Sequence, residues 1–321
     1  MNQRNFSLAD VLSAVTAFVF AFISFLGVNF LNIENNKVWG MPHTLGCVVI
    51  ALLIGMLLFA TAYGAKRLKR TSRNFKTSFV AEVILLVLFA LFAVVFVTKI
   101  SPFTHYFTVT SQKSEINSKV QTSITQADSM FAAYESYAKN RETLYNKELN
   151  SIISAKRVDP DKYMAYGFQN NDISDHKQID IKMGTLHDDL FPPDYSDTST
   201  NNGIKEVATK WLQNATNITH RWKFIGIVGV VNNIDKNSNQ WLSYLVQQSQ
   251  IREENEQASD FNYLLSFEDV KTHFVKLDNP KPLTIGIAGI AYVLMLLSWF
   301  VTKRDSRSTG SLTTAPYEVV L

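Results

Sequence analysis

Apolar residues along this chain gather in four long blocks, roughly 11–33, 45–65, 79–98 and 283–301. At 1.5 Å of rise per residue, each is long enough as a helix to cross a hydrocarbon layer of about 30 Å. The third block, Phe79 to Thr98, carries one ionisable residue, Glu82, and the fourth, Leu283 to Val301, carries none. A buried helix of a soluble protein rarely stays so uniformly apolar. The first block follows Arg4 and ends at Phe30-Leu31-Asn32-Ile33, with no small-x-small cleavage site. It is also longer than a signal-peptide core, so it reads as a retained span.

Between the third and fourth blocks the pattern changes. From about 105 to 157 there is no Gly or Pro, and apolar or small positions recur as Ile116, Val120, Ser123, Ala127, Phe131, Tyr134, Ala138, Arg141, Tyr145, Leu149 and Ile152. Ten steps over 36 residues is the period of a straight α-helix. One long helix 105–157 is expected, with Pro102 marking a kink at the membrane surface and Asp159-Pro160 the stop. Ser123 and Arg141 are polar exceptions on the stripe. Residues 160–203, with Gly167, Gly184, Pro192, Pro193 and many Asp and Asn, read as irregular loop with short elements. Helical patterns resume over 203–219 and 222–249. Between them Phe224-Ile225-Gly226-Ile227-Val228-Gly229-Val230-Val231 fits a buried helix or a strand. A helix gives a bundle, the favoured reading; a strand gives an α+β domain.

Charge orients the spans. Six basic and no acidic residues lie between 66 and 77, and Lys303, Arg304 and Arg307 follow the fourth block against Asp305. Short basic segments stay in the cytoplasm. Four spans then put both termini inside, with the 34–44 hairpin and 101–282 outside. The external stretch holds 23 acidic and 19 basic residues, so the formal net charge of +3 gives no reason to expect nucleic acid. The expected fold class is mainly α: a four-helix polytopic protein of the cell or inner membrane. Its parts are spans 1–3 within 1–100, a helical extracytoplasmic domain over 101–282, the last span at 283–302 and a flexible cytoplasmic tail at 303–321.

Candidate chemistry is sparse. Ionisable groups near a bilayer midplane mark transport or proton relay, yet only Glu82 enters a block, about one turn from its cytoplasmic end. It can pair with the adjoining basic loop or act as a switch or proton-carrying carboxylate. Small residues at packing spacing (Ser13, Ala17, Ala21; Ala51, Gly55; Gly286, Gly289) suit close helix contact. His176 and His187, with Asp175, Asp188 and Asp189, are the nearest approach to a metal cluster, without metalloprotease or calcium-loop spacing. No nucleophile elbow, P-loop or dinucleotide fingerprint occurs. Cys47 is the single cysteine. Asn214 and Asn217 begin glycosylation acceptor sequences, and Tyr134, Tyr137, Tyr145, Tyr163 and Tyr166 can pack a core or meet a partner. The Val319-Val320-Leu321 ending suits capture by a peptide-binding partner.

A short first external hairpin and a large second external domain resemble the outline of tetraspanin-like proteins. The cysteines that brace the domain of that family are missing here, so the resemblance is one of topology. No catalytic, cofactor or metal residue is assigned. The expected role is a noncatalytic scaffold or assembly subunit of an envelope complex, contacting the lipid bilayer and either further copies or other envelope proteins. An extracytoplasmic sensor working through a separate partner and an oligomeric channel or transporter component are the alternatives.

Overall fold

The computed structural model describes residues 7–35, 37–71, 75–197 and 202–304. The proposed tail and its Val319-Val320-Leu321 ending lie beyond residue 304, outside the described residues. The chain divides into two compact units, one formed by Met1–Ser114 with Lys271–Leu321 and the other by Glu115–Val270.

The first unit holds four helices long and apolar enough to cross a membrane: α1 (Leu8–Leu31), α2 (His43–Lys69), α3 (Phe75–Val95) and, near the end of the chain, α11 (Pro282–Val301). Strands β1 (Lys37–Val38) and β2 (Met41–Pro42) form a hairpin between α1 and α2, pairing Lys37 with Pro42 and Val38 with Met41. Its turn, Trp39-Gly40, has positive φ at both residues, 52° and 74°. That is the primed geometry matching the twist of a two-residue hairpin loop.

Small residues set the spacing of these helices. A Cβ on Gly55 would lie 2.7 Å from that of Ala21 and 3.3 Å from the Ala17 carbonyl, so α1 and α2 meet on the small face that the sequence displays. Gly286 and Gly289 differ, since among the described residues nothing lies within 4 Å of a Cβ at either position. Their face of α11 is open.

After α3 the backbone runs irregularly through 96–101 and restarts as α4 (Pro102–Ser111), with Pro102 in the first turn. Ser101 Oγ–H donates to the Phe96 carbonyl at 2.7 Å and Thr104 Oγ1–H to that of Thr98 at 2.8 Å. These hydroxyls satisfy carbonyls that have lost their helical donors next to lipid. Phe103 stacks on Phe20 of α1 with ring centroids 4.1 Å apart. Gly27 admits this approach, because a Cβ there would sit 1.8 Å from the Pro102 carbonyl oxygen. Gly27→Ala must therefore push one backbone from another and is expected to cost about 1–3 kcal/mol. Gly289→Ala, facing open space, should change stability by at most about 0.5 kcal/mol. Thermal unfolding in detergent compares the two.

The expected single helix 105–157 is two helices. α4 ends at Ser111, Gln112 leaves helical geometry at φ −99°, ψ 8°, and α5 runs Lys113–Ala155. The Gln112 side chain turns to α10 (Lys271–Val275) and the chain after it: its amide meets His273 Nδ1 at 2.9 Å and donates to Asp278 at 3.4 Å. Neither Gly nor Pro marks this break.

Along α5 every position of the sequence stripe from Ile116 to Ile152 is buried, Ser123 and Arg141 included. Its C-terminal half packs Ala138, Tyr145, Leu149 and Ile152 against Tyr163 of α6 (Pro160–Ala165) and Ile179, Leu186 and Leu190 of α7 (Asp175–Leu190). A 16-residue helix at α7 corrects the expectation of irregular loop over 160–203. Ser174 caps it by accepting from the Lys177 N–H, and its buried positions 179, 186 and 190 share one face. Gly184 and the Asp-rich flanks masked that face.

α8 (Ile204–His220) and α9 (Phe224–Ser249) form a helical hairpin, in which the Trp211 and Trp241 rings meet edge to face at 5.9 Å. The apolar stretch 224–231 is the start of α9, so the unit is a helical bundle. The turn is a Schellman closure: Lys223 N–H donates to the Ile218 carbonyl and Trp222 N–H to that of Thr219, both at 3.0 Å. Trp222 takes the left-handed conformation usual for glycine, φ 49°, and its buried ring offsets that cost. From Ile251 to Val270 the chain has no regular secondary structure. It lies along α5 as a strap held by Tyr137 Oη–H to the Ser259 carbonyl at 2.7 Å, Tyr263 Oη–H to that of Gln126 at 3.2 Å, and Lys119 to Glu268 at 3.1 Å.

Candidate functional site: charged ties and a polar cleft

In the membrane unit, ionisable side chains gather at the cytoplasmic ends of the spans. Asp10 accepts from both Ser7 N–H and Ser7 Oγ–H at 2.9 Å and forms a buried ion pair with Lys66 of α2. Glu82 of α3 is buried, and Arg304 donates to both of its oxygens at 2.9 and 2.8 Å. Trp299 Nε1–H adds a third bond to Glu82 at 2.9 Å. Lys69 donates to the Trp299 carbonyl at 2.9 Å, and its ammonium stands 4.2 Å from the ring centroid. Glu82 thus pairs across the bundle with α11 and the segment after it. Buried charges next to lipid persist only when neutralised by partners of this kind, and the arrangement joins α1 to α2 and α3 to α11.

In the extracytoplasmic unit the counterpart is Arg141. It stands near the middle of α5, only 4 % exposed. Its Nε–H and Nη2–H donate to the two oxygens of Glu256 at 2.5 and 2.6 Å. Nη1–H donates to the Ser249 carbonyl at 3.0 Å, and Nη2 also bonds the Ile251 carbonyl. Ser249 is the last residue of α9. A planar cation with a fork of donors is suited to this position, because it meets the negative end of the α9 dipole and a carboxylate in one plane. Burial alone pulls the guanidinium down, yet the bonds and charge of Glu256 hold its pKa above the ordinary value. Glu256 also accepts from the Glu253 N–H at 3.1 Å, which fixes the first turn of the strap. Burial pushes the Glu253 carboxyl above its ordinary range.

Beside this pair is a cleft of about 150 Å³, walled by Tyr137, Arg141, Tyr145 and Glu148 of α5 and by Glu256 to Ser259 of the strap. Tyr166 Oη–H donates to Glu148 at 2.5 Å. Tyr145 is 2 % exposed, and its hydroxyl has no hydrogen-bond partner among the described residues.

The remaining sequence candidates take structural positions. Asp175 accepts from Tyr163 at 2.7 Å and pairs with Lys156 at 3.1 Å, while His187 meets Glu142 at 2.8 Å. Among the described residues no three His, Cys, Asp or Glu side chains stand together as metal ligands. Tyr134, Tyr145, Tyr163 and Tyr166 are buried and Tyr137 is half-buried, so these rings build the interior of the unit rather than its surface. Asn214 and Asn217 lie on α8. Arg141 could be found from sequence as a charge on a buried stripe. Glu256 could not, since the strap has no periodicity to set it apart, and Lys66 was hidden among the loop cations although it belongs to the last turn of α2.

Fold and site together define a polytopic membrane protein, with four apolar membrane-length helices and a large helical extracytoplasmic domain between the third and fourth. The even number of spans puts residues 7 and 304 on the same side of the membrane, and the basic run from Lys66 to Lys76 marks that side as cytoplasmic. No family model, curated protein or solved structure matches it.

Proposed function

We propose that this chain is a noncatalytic membrane subunit that anchors or assembles a larger envelope complex, and that a transmembrane helix of its partner seats between α3 and α11. One observation carries the reading: an apolar groove of about 450 Å³ opens there to the membrane, lined by Ala93, Val94, Val97, Ile285, Gly289 and Tyr292. Gly289 leaves the α11 side of this groove without cover, which is the surface that lets a second helix backbone approach closely. Tyr292, which also lines it, is 9 % exposed, and its hydroxyl has no hydrogen-bond partner among the described residues.

The reading is tested on protein extracted gently from its own membrane and weighed with its bound partners. The wild type is expected to exceed the mass of one chain, and Gly289→Leu, which fills the groove, to return it to that of one chain without lowering its unfolding temperature. A wild-type protein of single-chain mass overturns the proposal, as does an assembly indifferent to Gly289→Leu.

A further inference from the structure

The hairpin between α1 and α2 holds a strained residue at its tip. Trp39 is the first residue of the two-residue turn and takes the left-handed conformation, φ 52°. Such turns ordinarily hold Asn, Asp or Gly there, and a bulky side chain is disfavoured in that region. Trp222 shares the conformation but buries its ring, whereas Trp39 leaves its ring 67 % exposed.

The depth of this turn in the bilayer follows from the helices that hold it. Val38, the residue before Trp39, is buried in one cluster with Val28 of α1 and Cys47 of α2. A Cβ on Gly46 of α2 would lie 2.6 Å from that of Val38. Gly46 stands 20 residues before Lys66, and Val28 stands 18 residues after Asp10. At the rise of an α-helix, these positions are about 30 and 27 Å from the buried Asp10–Lys66 pair. That pair lies at the cytoplasmic ends of its helices, and the hydrocarbon layer is about 30 Å thick. Val38 therefore stands at the opposite boundary, and Trp39 is one Cα step of about 3.8 Å further along the chain. The exposed residues Met56, Leu52 and Leu45, on one face of α2, carry the apolar surface up to this level.

We propose that Trp39 is an interfacial anchor for the extracytoplasmic leaflet, its indole lying among phospholipid ester groups beside the outer ends of α1 and α2. The amphipathic ring suits that layer: its hydrocarbon meets the upper acyl chains and its N–H donates to an ester carbonyl. The hairpin fixes the depth, because Val38 is wedged between two spans and Gly40, with φ 74°, closes the turn. A tip that only met water would be served by Asn, the residue that this turn prefers.

The test uses the full chain in phosphatidylcholine nanodiscs, prepared with plain lipid or with lipid brominated in the upper acyl chain. Subtracting the emission of Trp39→Phe from that of the wild type isolates Trp39 among the five tryptophans. Bromine is expected to lower this difference emission by about half or more, the response of a ring at head-group level. Trp39→Asn, which creates the Asn-Gly pair favoured by the turn, should keep or raise the unfolding temperature in detergent. Difference emission that bromine spares overturns the assignment. Aqueous iodide then separates the other environments: quenching by iodide puts the ring in water, and protection from both quenchers puts it under protein, whether a partner or a second copy. A marked fall in the unfolding temperature of Trp39→Asn also overturns it, because the ring would then be a structural part of the hairpin. The proposal and the subunit reading stand on different residues, and failure of one leaves the other intact.

Discussion

Glu256→Leu alone is expected to destabilise the extracytoplasmic unit by about 3–5 kcal/mol, because it leaves the Arg141 guanidinium buried without its counter-ion. Arg141→Met alone should cost a similar amount by stranding the Glu256 carboxylate, which is itself only 9 % exposed. The double variant, Arg141→Met with Glu256→Leu, removes both charges and should recover most of the loss. Recovery stays incomplete by about 1–2 kcal/mol, since the Ser249 and Ile251 carbonyls also lose their donor. Urea-dependent pulse proteolysis of the full chain in detergent, following cleavage within 115–270, measures all four proteins. Single variants that cost less than about 1 kcal/mol would show that the pair holds nothing together.

The second large effect concerns the register of α5. Ala138 is fully buried and Lys139, its neighbour, is exposed. Ala138→Asp inserts a carboxylate at a fully buried position of the stripe, where the cation one turn on, Arg141, is already engaged by Glu256, at an expected cost of about 4 kcal/mol. Lys139→Asp should change stability by at most about 0.5 kcal/mol. The same proteolysis assay separates them. Equal and small effects would mean that the stripe does not face protein.

The spans were legible because the membrane imposes length and apolarity together, and few other pressures produce such blocks. The α5 stripe was legible for a related reason: a helix buried along one side must repeat at 3.6 residues, and even Ser123 and Arg141 obeyed the repeat. Where burial was supplied from far away, the signal failed. Glu256 meets Arg141 from 115 positions along the chain, inside a strap that has no regular secondary structure. α7 was obscured because its flanks are rich in Asp and Asn, which favour turns by hydrogen-bonding their own backbone. The junction at Gln112 depends on partners in and after α10, and a local reading finds only residues compatible with helix. The cleft is legible only once α5 and the strap are placed side by side.

The bond between Glu82 and Arg304 has a consequence for the order in which the chain is made. Its two ends are 222 residues apart, and the whole extracytoplasmic domain is synthesised between them. At ribosomal rates of about 5–20 residues per second, the carboxylate waits roughly 10–45 s for its cation. During that interval the third span sits in the membrane without the two bonds that Arg304 donates to Glu82, whereas Asp10 and Lys66 have both already emerged. The tie between α3 and the segment after α11 is therefore among the last contacts of the membrane unit to form.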